Sequence, residues 1–178
     1  MAILFENYDV HDAADVFQGV DWVSQGFTPS IKHTITTGKV KMGRTGAVVG
    51  NITLSVRATA AGKPTGADIV SASIAGNDLP IIAGPDDMLF MTFDFGAGTL
   101  LQAGTVYAFV WRAPAAVANV FHAVNSANGY GGGNSYHSGD SGATWGASTG
   151  FSTSFQDWGV VGGPKGSNAP KLVAQGII

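Results

Sequence analysis

Cysteine is absent from the sequence, so the fold leans on neither disulfides nor thiolate-held zinc, and the redox compartment is left open. Charge is scarce as well. Only 12% of residues are charged, and Glu6 is the sole glutamate, whereas ordinary globular chains carry about 25%. Helical bundles need charged faces and few glycines, and disordered chains need more charge than this. No apolar run approaches the ~20 residues of a membrane-spanning helix. The opening Met1–Glu6 lacks the basic flank and the ~7–15-residue apolar stretch of a secretion signal, so the chain as it stands is expected to be used without export. A formal net charge of -3 gives nucleic acid or an acidic membrane surface little to hold.

Apolar residues and glycine are plentiful. Hydrophobic residues make up 45% of the 178, enough for the core of one domain. The 26 glycines and 7 prolines punctuate short segments with period-2 alternation. In Asn51–Thr59, Ile52, Leu54, Val56 and Ala58 point one way and Thr53, Ser55, Arg57 and Thr59 the other, the mark of a strand with one wet face. Leu89, Met91, Phe93 and Phe95 alternate likewise up to Gly96, while Thr105–Arg112 is apolar on both faces and is expected to be central. Weaker strands are expected near 21–28, 34–42, 68–75, 119–125 and 151–159. Turn formers separate them at 43–46, 61–66, 76–78, 83–87 and 129–133, where glycine supplies positive φ and proline and aspartate preset turns.

Such spacing predicts an all-β fold, a jelly-roll or Greek-key β-sandwich of two antiparallel sheets. No repeat of ~20–50 residues suggests a propeller or solenoid. Residues 21–160 form the expected sandwich. Residues 1–20 show no strand pattern and are expected to be an N-terminal arm, with 161–178 a C-terminal one. The first 21 residues hold Glu6, Asp9, Asp12, Asp15 and Asp21 without a base, and Lys32, Lys39, Lys41, Arg44, Arg57 and Lys63 then follow without an acid. That separation allows pairing within one chain or between copies, or plain solvated charge.

Chemistry-bearing patterns are thin. His11, His33, His122 and His137 sit at no metal-ligand spacing, and each is expected to be a surface or half-buried residue. Neither a G-x-S-x-G nucleophile turn nor a phosphate loop occurs. Asp94 and Asp157 lie on expected strands and are the carboxylates a glycosidase would need brought together, while Asp86–Asp87 reads as a turn. No EF-hand spacing points to calcium. No catalytic residue, cofactor or metal site is therefore expected.

One pattern is specific. Ser138-Gly-Asp140-Ser-Gly142-Ala-Thr-Trp145 resembles the Asp-box of sialidases and related propellers, a structural turn rather than a catalytic element. Asp140 is expected to accept backbone N–H bonds, Gly142 to supply an unusual φ, and Trp145 to pack beneath. Tyr130 and Tyr136, with Asn125, Asn128 and Asn134 near them in sequence, form either a platform for sugar rings or a cover on the end of the core.

Trp22–Pro29, Leu54–Thr59 running on to Gly62–Gly66, Ala103–Ala108 and the Asp-box stretch together resemble a jelly-roll module of phage structural proteins and environmental bacterial proteins, over residues 20–160. The resemblance implies a non-enzymatic virion component of a bacteriophage. A capsid decoration (cement) protein comes first, then a tail or fibre part, located in the virion with copies of itself and a larger shell or tail as partners. Closed oligomers are the natural assembly. The alternative is a carbohydrate-binding module using Tyr130, Tyr136 and Asn134, or the strand face around Trp111.

Overall fold

A computed structural model describes residues 1–48, 50–116, 119–127, 129–148 and 150–162. In chain order the strands are β1 (Ile3–Tyr8), β2 (Ala13–Val16), β3 (Trp22–Phe27), β4 (His33–Arg44), β5 (Asn51–Ala60), β6 (Lys63–Ala75) and β7 (Leu89–Leu101). They continue with β8 (Tyr107–Arg112), β9 (Val120–Asn125), β10 (Ser135–Ser138), β11 (Gly146–Ala147), β12 (Ser152–Thr153) and β13 (Phe155–Val161). Two antiparallel sheets result. The first runs β1-β13-β4-β9-β12, with β2 on β9 and β7 on β4; the second runs β11-β10-β3-β8-β5-β6. The chain passes from one sheet to the other at most connections, so the sandwich is not a meander.

Alternation decides what the sheets bury. Ile52, Leu54 and Val56 of β5 are fully enclosed, while Thr53 and Arg57 face outward as the pattern predicts; Ala58 is exposed instead. Phe93 and Phe95 of β7 enter the same core with Met91 partly buried against it, whereas Leu89, expected on that face, is 59% exposed. Aromatic rings tie the layers together: Phe27 stacks on Phe109 at 4.6 Å, and both meet Phe155 from the opposite sheet, at 5.9 and 5.8 Å. Each fully buried Phe contributes roughly 1.5–3 kcal/mol, and each ring pair about 0.5–1.5 kcal/mol more. Strand β8 is central, between β3 and β5. Tyr107, Phe109 and Trp111 face the main core, while Ala108 and Val110 lie under a second cluster with Tyr136, Trp145 and Trp22. That outer cover accounts for a strand apolar on both faces.

Four expectations are corrected. Residues 1–20 are not an arm: β1 pairs with β13, and β2 with β9. Tyr8 and Phe17 lie in the main core. The β1 pairing shifts register between Leu4 and Glu6, and this bulge breaks the period-2 pattern that would have announced the strand. β7 does not stop at Gly96 but runs to Leu101 across a register shift against β4. There Gly98 has φ +70, and a Cβ would collide with the Ile35 carbonyl, so only glycine fits. The expected separator 61–66 shrinks to a turn at Ala61–Gly62, with Lys63–Thr65 already paired to Ala58–Ala60. At the other end Val161 still pairs with His33; residues 163–178 of the expected C-terminal arm lie outside the described residues.

Candidate functional site

The Asp-box stretch folds as a tight connection between β10 and β11, which pair through Tyr136–Ala147 and His137–Gly146. Asp140 organises it. One carboxylate oxygen accepts the Ser138 hydroxyl at 2.8 Å and the Thr144 N–H at 2.8 Å; the other accepts the Thr144 hydroxyl at 2.7 Å. These bonds, Thr144's hydroxyl foremost, hold the Asp140 pKa down to about 2. The Gly142 N–H donates to Ser138 Oγ at 2.8 Å. With φ +84, Gly142 lies so close to Trp22 that a Cβ would sit 2.7 Å from the indole. Trp145 is buried against Ala108, Val110 and Tyr136. The turn is thus a lid on the outer face of the second sheet.

Next to it, the same face carries a charged network. Asp68 accepts from Arg57 Nε at 2.7 Å and Arg112 Nη2 at 2.6 Å, and both guanidiniums lie over the Trp22 ring, at 5.4 and 4.9 Å. Burial alone would raise the Asp68 pKa; hydrogen bonds from the two arginines outweigh it and lower it. These groups are saturated by one another and by the indole face.

The proposed sugar platform is not assembled. Tyr136 is 5% exposed. Tyr130 packs edge-on to Phe155 at 5.0 Å and near Tyr8 at 5.5 Å, and burial pushes its hydroxyl pKa well above the ordinary value. Asn125 donates to the Tyr8 hydroxyl at 2.6 Å in the interior. Trp111 is fully enclosed. Tyr130 packs against the main core and Tyr136 belongs to the outer cluster over β8, leaving Asn134 exposed; Asn128 lies outside the described residues.

Two of the four histidines, His33 and His122, are fully internal, contrary to the expectation of surface or half-buried side chains, whereas His11 is half-buried and His137 exposed. His33 Nε2 meets Asp157 Oδ2 at 2.8 Å with both side chains fully buried. Phe5 of β1 stacks on the imidazole at 3.7 Å, and the other ring nitrogen contacts the Ile31 carbonyl at 2.8 Å. Burial works against the imidazolium, but the Asp157 hydrogen bond and charge outweigh it and raise the His33 pKa. His122 is also enclosed, edge-on to Trp111 at 5.2 Å and Phe17 at 5.8 Å; burial pushes its pKa down to about 4. His122 Nε2 and Trp111 Nε1 have no hydrogen-bond partner.

Asp94 and Asp157 do not meet. Asp94 pairs with Thr37, and Asp157 with the next residue, Gly38; alternation sends the two carboxylates to opposite faces of the sheet. Asp94 instead accepts the Gly96 N–H at 2.8 Å. Asp87 accepts the N–H groups of Ala83 and Gly84, at 2.8 and 3.1 Å, so the Asp86–Asp87 turn forms as expected. Among the described residues no three His, Cys, Asp or Glu side chains are grouped to hold a metal ion.

Acids of the first 21 residues are used largely inside the molecule. Asp9 pairs with Lys41 at 2.8 Å, Glu6 accepts the Ser30 N–H at 2.9 Å, and Asp12 accepts the N–H and hydroxyl of Ser126. Part of what faces outward is apolar. An open groove of about 280 Å³ is lined by Ala14, Thr45, Phe121 and the Ile82–Pro85 turn. Large hydrophobic side chains are exposed on the outer strands, Ile3 and Leu4 on β1 and Val16 on β2. Sequence reasoning missed these positions because β1 is interrupted by its bulge and β2 has four residues.

No known family, curated protein or solved structure matches the chain. The geometry therefore speaks alone. His33, His122 and Asp157 are sealed from solvent, Asp140 is held by its own turn, and the accessible surface includes apolar edges and an open groove.

Proposed function

We propose that this chain is a non-enzymatic structural component of a bacteriophage particle, in the first instance a capsid decoration (cement) protein and otherwise part of a tail or fibre. The observation that supports this reading is the location of the apolar surface. Twelve large hydrophobic side chains are exposed among the described residues, and six of them (Met1, Ile3, Leu4, Val10, Val16 and Val20) fall in the first twenty residues. β1 ends its sheet, and β2 has one strand partner. Open strand edges with apolar side chains favour contact with another chain. Repetition on a symmetric scaffold multiplies weak contacts through avidity. The resemblance of residues 20–160 to a phage jelly-roll module is what points to a virion as that scaffold. Copies of the chain and a capsid or tail surface are the partners under this reading.

The test joins sedimentation velocity over a range of concentrations with peptide mass spectrometry of density-banded particles. Self-association, and peptides of this chain in constant ratio to major capsid peptides, support the reading. A monomer at every concentration whose peptides stay in the particle-free fraction overturns it. Of Tyr130, Tyr136, Asn134 and Trp111, on which the carbohydrate-binding alternative rested, Asn134 alone remains exposed, and no observation favours it.

A further inference from the structure

We propose that two copies of this chain join through the outer edge of β6, where Val70–Ala75 pairs antiparallel with the same stretch of a second copy about a two-fold axis at Ala72. The inference rests on the assembly reading and names the strand that makes the contact between copies.

β6 ends the second sheet, with β5 as its one strand partner among the described residues. Edge strands are kept from pairing by charge, proline or a bulge, and here those devices crowd the first half of the strand. Lys63 and Pro64 open it. The register with β5 then jumps from Ala58–Thr65 to Val56–Val70, so Gly66–Ile69 bulge out opposite Arg57 alone. Asp68, inside the bulge, is held by Arg57 and Arg112. From Val70 to Ala75 the ladder is regular, and the stretch has no charge, proline or glycine. Its outward backbone groups are free to receive an added strand.

The core also surfaces along this stretch. Ile52, Leu54 and Val56 of β5 are fully enclosed. Their ladder partners Ile74, Ala72 and Val70 pack on the same core yet stay half-buried, because no described strand lies beyond β6. A strand added there covers them.

Symmetry selects a second copy. A two-fold contact sets one patch against itself, so the patch must be self-complementary. Val70-Ser71-Ala72-Ser73-Ile74 reads nearly alike in both directions. With the axis at Ala72, Val70 faces the partner's Ile74 on the inner side, and apolar meets apolar. On the outer side Ser71 faces the partner's Ser73, a hydroxyl pair of the kind that favours strand pairing; Thr53 and Ser73 already make one at 2.7 Å within the chain. Charge agrees. Lys63 pairs with Ala60, four ladder steps past the Val56–Val70 pair, and Asp78 lies four residues past Ile74. Lys63 of one copy therefore falls at the same end of the joint as the partner's Asp78, and both side chains are exposed. The apolar side chains exposed on β1 and β2 belong to the other sheet and stay free for the scaffold or for further copies.

Sedimentation velocity of the parent chain, S71K/S73K and S71E/S73E tests the joint. Both serines are exposed, so the substitutions leave the core intact, and melting temperatures check this. The parent should pair. Each variant alone sets like charges directly opposite one another and should raise the dissociation constant about tenfold or more. An equimolar mixture of the two variants should restore a one-to-one pair. The chain has no cysteine, so Ala72→Cys places a lone thiol on the axis. Oxidation with diamide should link it into a dimer much faster than Ala147→Cys, an exposed position on β11 at the sheet's opposite end. A monomeric parent, variants that pair as the parent does, a mixture that stays monomeric, or equal linking by the two thiols overturns the β6 joint. Each of these, with peptides still banding with the particles, leaves the virion reading standing. A pair that meets every expectation while its peptides stay off the particles overturns the virion reading alone.

Discussion

His122 and His33 set opposite pH slopes. Burial pushes the His122 pKa down to about 4, while an unfolded histidine titrates near ~6.5. The folded state then binds fewer protons than the unfolded one as pH falls. The contribution of His122 is whole above pH ~6.5 and is lost on the way down to 4, about 3 kcal/mol across the window. His33 has a raised pKa. Its contribution is whole below pH ~6.5 and is lost as pH rises through the folded value. Urea midpoints should therefore peak near pH 6.5. His122→Leu should flatten the acid limb, and an acid limb as steep as the parent's would refute the assignment. His33→Gln should flatten the alkaline limb and lower stability by roughly 3–5 kcal/mol, since a buried Asp157 would lose its partner.

At the level of elements, the Asp-box turn shows how a local pattern becomes tertiary packing. The motif makes the turn through Asp140, but Gly142 is required twice, by its φ of +84 and by the Trp22 ring against it. Gly142→Ala should cost about 1–3 kcal/mol in strain and shift tryptophan emission as Trp22 and Trp145 loosen. Gly139→Ala is the control, because a Cβ there meets its nearest atom at an ordinary 3.8 Å. Equal melting temperatures for the two variants would remove the Trp22 contact from the account. The turn was legible from Ser138, Asp140, Gly142 and Trp145; what it covers was not. Nothing local in the sequence says that Trp145 caps Val110 or that Trp22 lies under Arg57 and Arg112, because these contacts join strands brought together only by sheet pairing.

For the whole molecule, the N-terminal segment matters most. A chain beginning at Asp21 would lose β1, β2, the buried Phe17 and the Tyr8–Asn125 hydrogen bond. It should show no near-UV circular dichroism and no cooperative melting transition; a native-like melt would show that β1 and β2 are dispensable. Ile3→Glu with Val16→Glu is the milder change, since both side chains are exposed. It should weaken self-association while leaving the melting temperature within a few degrees of the parent, and unchanged association would move the contact surface away from these edges.

The amino-acid sequence by itself determined that this protein is a β-sandwich, with alternation marking β5 and the first half of β7 and a doubly apolar run marking β8. One-sided burial writes a period of two into any strand long enough to show it. Tertiary structure alone decided the rest: that residues 1–20 join the first sheet, that His33 finds Asp157, that Tyr130 packs on the core and Tyr136 under the Asp-box turn, and that Asp94 and Asp157 face apart. Each depends on partners distant along the chain, on a bulge, or on a strand too short to carry a pattern, and local composition holds no record of such pairing.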